Sequence, residues 1–289
     1  MLEQLEEWFL HHKPDVVLVY GDTNSTLAAC LAATKIHIPV AHIEAGLRSF
    51  NRSMPEEINR VATDHCSDRL YSPTPAGMAN LHAENLAPRA VLSGDVMRDA
   101  VTHSIKLAEV HPSAGDKIQG EYGVLTLHRP ANTNEKTLVP LLQGLDKISK
   151  QHLPLIFPVH PRTRNIIKVS GLRLSSSISL VEPLPYLSML NTVKNAAVVM
   201  TDSGGLQKEA AFLGTQCITL RDETEWTETV DIGVNRLVGI VERLIKEALS
   251  VVADAGYIID GEAKLKMDGI FGNSNAANEI ATDLVRFFV

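Results

Sequence analysis

Two kinds of chemistry can be read from residue types and spacing in this chain. The stretch TDSGGLQKEA (Thr201 to Ala210) sets Ser203, Gly204 and Gly205 behind an apolar run and ahead of a helical pattern. Glycines in that position let backbone N–H groups approach a phosphate, and a helix N-terminus favours its negative charge. Glu209 follows one turn later, where a carboxylate can take a pair of ribose hydroxyls. Ser203 alone could serve as an N-cap, but Gly-Gly in a first turn costs helix stability, which favours the nucleotide reading. Cations stand at the ends of other apolar runs: Arg129, His160-Pro161-Arg162, Arg164 and Arg221. A diphosphate in an acidic chain needs such neutralisation.

The second chemistry is proton transfer. Asp22, Glu44 and Glu56 form an acidic set in the first third of the chain, and His128 ends an apolar run further on. Taken singly, Asp22 reads as an N-cap and Glu56, behind Pro55, as a helix-dipole partner. Glu44 interrupts an apolar strand end, VAHIEAGL, just before a glycine. Partial desolvation there would raise a carboxyl toward useful proton transfer. His42 and Glu44 make the HxE of zinc deaminases without the PCxxC that must accompany it, and HExxH is absent. Neither a catalytic metal nor a cofactor is expected, since Walker A and GxGxxG sequences are also missing.

These groups have to be carried by something, and the hydrophobic pattern says what. Short apolar runs (15–21, 39–45, 69–72, 90–93, 123–128, 154–160, 178–182, 197–202 and 217–220) alternate with longer helical stretches, including 24–35, 56–67, 96–110 and 134–151. Such alternation predicts parallel, doubly wound sheets whose ligands bind at the carboxyl ends of the strands. Ionisable or phosphate-compatible groups sit at those ends: Asp22, Glu44, His128, His160, Asp202. The Pro/Gly/Ser-bearing loop HPSAGDK marks a boundary between α/β domains at 1–110 and 111–272. Residues 273–289 form a closing helix, with Ser274 as its expected N-cap.

Composition narrows the class. The chain has 289 residues, of which 45% are hydrophobic and 21% charged, an ordinary globular balance. With 27 basic against 34 acidic residues and a net charge of −7, nucleic-acid or anionic-membrane binding is not expected. Cys30, Cys66 and Cys217 are odd in number and unpaired by spacing, the pattern of reduced thiols. The first residues lack signal-peptide order, and no apolar run reaches the about 18 residues of a membrane span. A cytoplasmic protein is expected.

VYGDTNST, AHIEAGLRS, MPEEINR, TLHRPANT, TDSGGLQKEA and LRDETEW, in that order, resemble the non-hydrolysing UDP-N-acetylglucosamine 2-epimerases across essentially the whole chain. The resemblance implies a GT-B architecture of two Rossmann-like domains, with UDP held mainly by the C-terminal one and the last helix returning to the first. It implies inversion of C2 of UDP-N-acetylglucosamine to UDP-N-acetylmannosamine by elimination and re-addition of UDP, supplying cell-surface polysaccharide precursors. Matched motif by motif, Asp22, Glu44 and Glu56 take the acid/base roles and His128 stands near the diphosphate. Ser203, Gly204, Gly205 and Glu209 match phosphate and ribose contacts, with Arg129, His160 and Arg221 as further anion contacts. Which carboxylate is the base stays open. A homodimer is implied.

The chain also departs from the family. It opens at the helix before the GDT strand, without the usual Gly-Thr-Arg/Lys phosphate loop, so the N-terminal domain is expected to lack its first strands. The HRREN-like segment reads His128-Arg129-Pro130-Ala131-Asn132, and Leu184 and Met189 stand where some members have Gln and Phe. Three other readings follow. SGDVMRDA and LRDETEW also resemble the branch acting on UDP-2,3-diacetamido-2,3-dideoxy-glucuronic acid. A GT-B glycosyltransferase would use the same UDP site, and an inactive UDP-sugar-binding paralogue or fragment would need no acid/base set.

Overall fold

The alternation of apolar runs and helical stretches folds into two parallel sheets. The computed structural model describes residues 1–289 apart from 255, 257, 258 and 289. Contacts divide the chain into one unit of Met1–Asp99 with Asp268–Val289, and a second of Ala100–Met267.

The first unit runs α1 (Leu2–His12), β1 (Val17–Tyr20), α2 (Asn24–Lys35), β2 (Val40–Ile43), α3 (Pro55–Cys66), β3 (Arg69–Ser72), α4 (Pro75–Ala83), β4 (Ala90–Leu92) and the start of α5 (Val96–Ala108). Its four strands pair in sequence order, β1-β2-β3-β4, all parallel, with Val17 beside Val40 and Ala41 beside Arg69. The sheet therefore winds in one direction only, half of the doubly wound pattern. Alternate residues feed opposite faces. Val17 and Val19 join Phe9, Cys30 and Ala33 from α1 and α2. On the other face Leu18, Ala41, Ile43 and Tyr71 meet Ile280, Leu284 and Phe288.

The second unit runs β5 (Gly123–Thr126), α6 (Pro130–Thr133), α7 (Glu135–Gln151), β6 (Leu155–Pro158), α8 (Pro161–Val169), β7 (Ile178–Val181), α9 (Tyr186–Lys194), β8 (Val198–Thr201), α10 (Gly204–Leu213), β9 (Gln216–Thr219), α11 (Thr227–Asp231), β10 (Asn235–Leu237) and α12 (Glu242–Asp254). Its order is β10-β9-β8-β5-β6-β7, all parallel. That is the doubly wound order with its topological switch point between β5 and β8. Leu125, Phe157, Val198, Met200 and Ile218 pack under α7 and α12, while Val124, Ile156, Val199 and Cys217 pack under α9 and α10.

Helix α13 (Gly261–Phe271) and α14 (Ala276–Phe288) end the chain. Within the first unit the Asp283 carboxylate accepts from Arg69 Nε and Nη2 at 2.7 and 2.8 Å and from the Tyr71 hydroxyl at 2.9 Å. Ser274 stands two residues before the first residue of α14. It lies in the left-handed region at φ 63°, and the Ala276 and Ala277 amides donate to the Asp99 carboxylate at 3.2 and 2.7 Å. Asp22 does not cap α2; the Thr23 side chain does, accepting from the Thr26 amide. No helix among the described residues is long and apolar enough to cross a membrane.

Candidate functional site

At the switch point of the second unit the chain leaves β5 at Leu127-His128 and β8 at Asp202-Ser203. A cleft of about 480 Å³ opens there, lined by Thr126, Leu127, His128, Pro158, His160, Pro183, Leu184, Met189, Ser203, Gly205, Leu206 and Glu209. Its lining combines apolar side chains (Pro158, Pro183, Leu184, Met189, Leu206) with polar ones, the mixture a nucleotide with a flat base and charged phosphates asks for. Ser203 is the N-cap of α10, its Oγ accepting from the Leu206 amide at 3.4 Å. The cap thus falls on the same turn that the sequence pattern offers to a phosphate.

His128 is the exposed member of a pair. Its ring Nδ1 lies 2.8 Å from Asp202 Oδ1. The fully buried Asp202 also accepts from the His128 and Arg129 amides at 3.1 Å each and from Asn132 Nδ2 at 3.1 Å. Burial opposes ionisation of Asp202, but the His128 ring and the two amides outweigh it and hold the carboxyl below its usual range. A carboxylate on Nδ1 places the proton there and leaves Nε2 as the working nitrogen. His160 caps α8, its Nδ1 accepting from the Arg162 amide at 3.2 Å, so its proton sits on Nε2.

Glu209 is half-buried beside Tyr186 and Lys208. Burial raises its pKa, while the Lys208 charge and the Tyr186 hydroxyl pull it down. Tyr186 in turn is pushed up to about 12 by burial and then by Glu209. The fully buried Lys208 sets its Nζ 3.8 Å above the Trp226 ring.

Three expected phosphate or anion contacts, Gly204, Arg129 and Arg221, do not line this cleft. Arg129 contributes its amide to Asp202. Arg221 is buried, with Nη2 3.1 Å from Glu225 Oε2. The same Glu225 covers Gly204, where an added Cβ would lie 2.2 Å from Oε1. Arg221 thus stands behind the α10 turn.

In the first unit Asp22 and Glu44 follow the carboxyl ends of β1 and β2, and Glu56 stands in the first turn of α3. Asp22 Oδ2 accepts from Arg60 Nη2 at 2.5 Å, and its carbonyl accepts from Asn59 Nδ2 at 2.9 Å. Glu44 holds a left-handed φ of 72°, a conformation that costs a side-chain-bearing residue of order 1 kcal/mol or more. Its carboxylate lies over Gly21, where an added Cβ would sit 3.4 Å from Oε2. Glu56, half-buried in the first turn of α3, has no hydrogen-bond or ion-pair partner among the described residues. Its neighbour Glu57 is consumed structurally, accepting from the Ser49 amide and hydroxyl and from the Phe50 amide at 2.8–2.9 Å. Cys30 and Cys217 are buried free thiols pushed up by burial, to about 11 and about 12. Among the described residues no three His, Cys, Asp or Glu side chains are grouped to hold a metal ion.

Sequence reasoning noted Asp202 at a strand end and Arg60 inside MPEEINR but assigned neither a role; the pairing of Arg60 with Asp22 spans 38 positions and leaves no local spacing signal.

A family model described as UDP-N-acetylglucosamine 2-epimerase matches residues 1–285. The chain is 42% identical over 290 residues to UDP-2,3-diacetamido-2,3-dideoxy-D-glucuronate 2-epimerase of Pseudomonas aeruginosa, spanning 99% of this chain and 79% of that one. It is 44% identical over 259 residues to UDP-N-acetylglucosamine 2-epimerase of Methanocaldococcus jannaschii, spanning 85% and 71%. A crystal structure of the M. jannaschii UDP-GlcNAc 2-epimerase in complex with UDP-GlcNAc and UDP is similar with a TM-score of 0.89 at 38% identity, over 99% of this chain and 79% of that one.

Proposed function

This chain belongs to the UDP-N-acetylglucosamine 2-epimerase family, whose solved structures share its GT-B architecture, and from that premise we propose that it is a non-hydrolysing epimerase interconverting UDP-N-acetylglucosamine and UDP-N-acetylmannosamine. The observation that carries the reading is the cleft at the β5–β8 switch point, with His128, His160, Ser203, Gly205 and Glu209 on its walls.

The hydrogen on C2 has no carbonyl on a neighbouring ring carbon to acidify it, so direct deprotonation is out of reach. Elimination solves this: a carboxylate takes the C2 proton as the C1–O bond breaks, giving a glycal and UDP. A UDP oxygen then re-adds to C1 while a proton arrives at C2 from the opposite face. Nothing is consumed, and the C2 hydrogen exchanges with solvent.

The second unit supplies leaving-group stabilisation in this scheme. Ser203, Gly204 and Gly205 offer the α10 N-terminus to the diphosphate, and His128, oriented by Asp202, presents Nε2 to the charge that grows as UDP departs. Glu209 takes the ribose hydroxyls, His160 supports the phosphates, and Arg129 and Arg221 act by shaping the turns behind them. The first unit supplies the acid/base set. Glu56 is the carboxylate with no hydrogen-bond or ion-pair partner among the described residues, whereas Asp22 is tied to Arg60.

The P. aeruginosa relative favours a second substrate reading, UDP-2,3-diacetamido-2,3-dideoxy-glucuronate, since its 42% identity runs over 99% of the chain. We further read the protein as a cytoplasmic homodimer, which light scattering at twice the chain mass would support. The deciding experiment compares kcat/KM for the two sugars. A tenfold or greater preference, about 1.4 kcal/mol in the transition state, for UDP-N-acetylglucosamine supports the first reading. The reverse preference replaces the substrate, and turnover of neither overturns the epimerase assignment.

A further inference from the structure

Beneath the acids of the first unit lies a buried polar pair that the reaction scheme does not use. His42 in β2 and Asp64 near the end of α3 are both 0% exposed, and His42 Nδ1 lies 2.7 Å from Asp64 Oδ1. The outer atoms of the pair reach two different turns. His42 Nε2 is 2.8 Å from the Gly21 carbonyl, which can only accept, so this nitrogen carries a proton and donates. Asp64 Oδ2 accepts from the Gly46 amide at 3.0 Å.

Gly21 immediately precedes Asp22, and Gly46 follows Glu44 by two residues. Gly21, Glu44 and Gly46 have φ of 63°, 72° and 83°, so both turns leave the extended conformation that ladder hydrogen bonds would hold. Their freed backbone groups need other partners. Asp64 is itself fixed: Arg48 Nη1 donates to Oδ2 at 2.7 Å, and Arg48 continues to Glu84 through bonds of 2.7 and 2.8 Å. Burial works against the Asp64 charge, yet His42 and Arg48 together hold its carboxyl below the usual range.

We propose that His42 and Asp64 are positioning residues, a rigid buried pair that sets the two turns bearing Asp22 and Glu44 in fixed register. This rests on the acid/base reading of those two residues. Both turns hang from one side-chain pair, so a change at His42 moves Asp22 without touching it. A displacement of about 1 Å at an acid/base group costs about a hundredfold in rate.

The test uses two substitutions of similar size and opposite consequence. His42→Gln keeps a donor where Nε2 stood, facing Gly21. His42→Asn keeps one where Nδ1 stood, facing Asp64, and abandons Gly21. In H42N we expect kcat for C2 exchange to fall about a hundredfold with KM changed less than about threefold, while H42Q stays within about tenfold of wild type. The Asp22 amide resonance should shift in H42N and hold its place in H42Q. Equal losses in the two variants that follow their melting temperatures, or wild-type kcat in H42N, would overturn the positioning role. If the unsubstituted chain exchanges no C2 hydrogen, the functional reading fails. The amide shifts then decide the positioning claim alone, and an unmoved Asp22 resonance in H42N rejects it.

Discussion

Asp202 accepts from two amides, a ring nitrogen and Asn132, so its replacement separates orientation from support. Asp202→Asn keeps the shape but gives Nδ1 of His128 an amide in place of a charge. We expect kcat to fall about a hundredfold or more with little change in KM, measured by steady-state epimerisation. Asp202→Ala strands four donors and should also lower unfolding free energy by about 3 kcal/mol in urea titration. Asp202 and Asp64 share a direction with pH. Their folded carboxyls lie below the ordinary 3.8, through His128 and through His42 with Arg48. The resulting stability is present above 3.8 and is lost as pH falls through the lower folded values. Melting curves should therefore hold steady down to about pH 4 and collapse below it, with a flatter acid limb in D202N. Glu209 runs the other way. Burial lifts its pKa above the ordinary 4.5, so the ionised form is disfavoured in the empty protein. Glu209→Gln should leave the free protein as stable or slightly more so while weakening UDP about tenfold or more, read by calorimetry.

Helix α10 shows what one turn must do at element scale. Gly204 has no room for a side chain, because a Cβ would meet Glu225 Oε1 at 2.2 Å and Glu225 is held against Arg221. Gly204→Ala should therefore weaken UDP about tenfold, by displacing the Glu225–Arg221 pair at the phosphate end of the helix. A wild-type dissociation constant for G204A would show that the close approach is unused. At this scale the sequence was informative, since β3 begins and ends where Arg69–Ser72 reads as a strand and α2 spans Asn24–Lys35 as its small-residue pattern predicts. Other features depended on distance. The Ala276 amide at the start of α14 donates to Asp99, 177 positions away, a partner that no local pattern could reveal. Strand β10 is three residues, Asn235–Leu237, too short to leave a period. That His160, Ser203 and Glu209 line the β5–β8 cleft was legible because strand-end position is local. The commitment of Arg221 to Glu225 was not, because spacing does not reveal which way a side chain turns.

For the molecule as a whole, the chain's last helix belongs to its first sheet. Ile280 is 3% exposed among Ala41, Ile43 and Tyr71, and the neighbouring Asp283 holds Arg69 and Tyr71. Ile280→Ala should cost the first unit about 3 kcal/mol, seen as earlier loss of amide protection in β2 and β3, with UDP affinity in the second unit unchanged. Equal loss of protection in both sheets would contradict the division. The epimerase reading, by contrast, assigns the acid/base role to carboxylates of the first unit and leaving-group stabilisation to the second. The measurement that tests this most directly is proton NMR of the chain with UDP-N-acetylglucosamine in deuterated water. The account predicts that the C2 proton signal disappears while manno-configured resonances grow in. UDP bound with every C2 proton retained, or UDP set free without deuterium at C2, would contradict it.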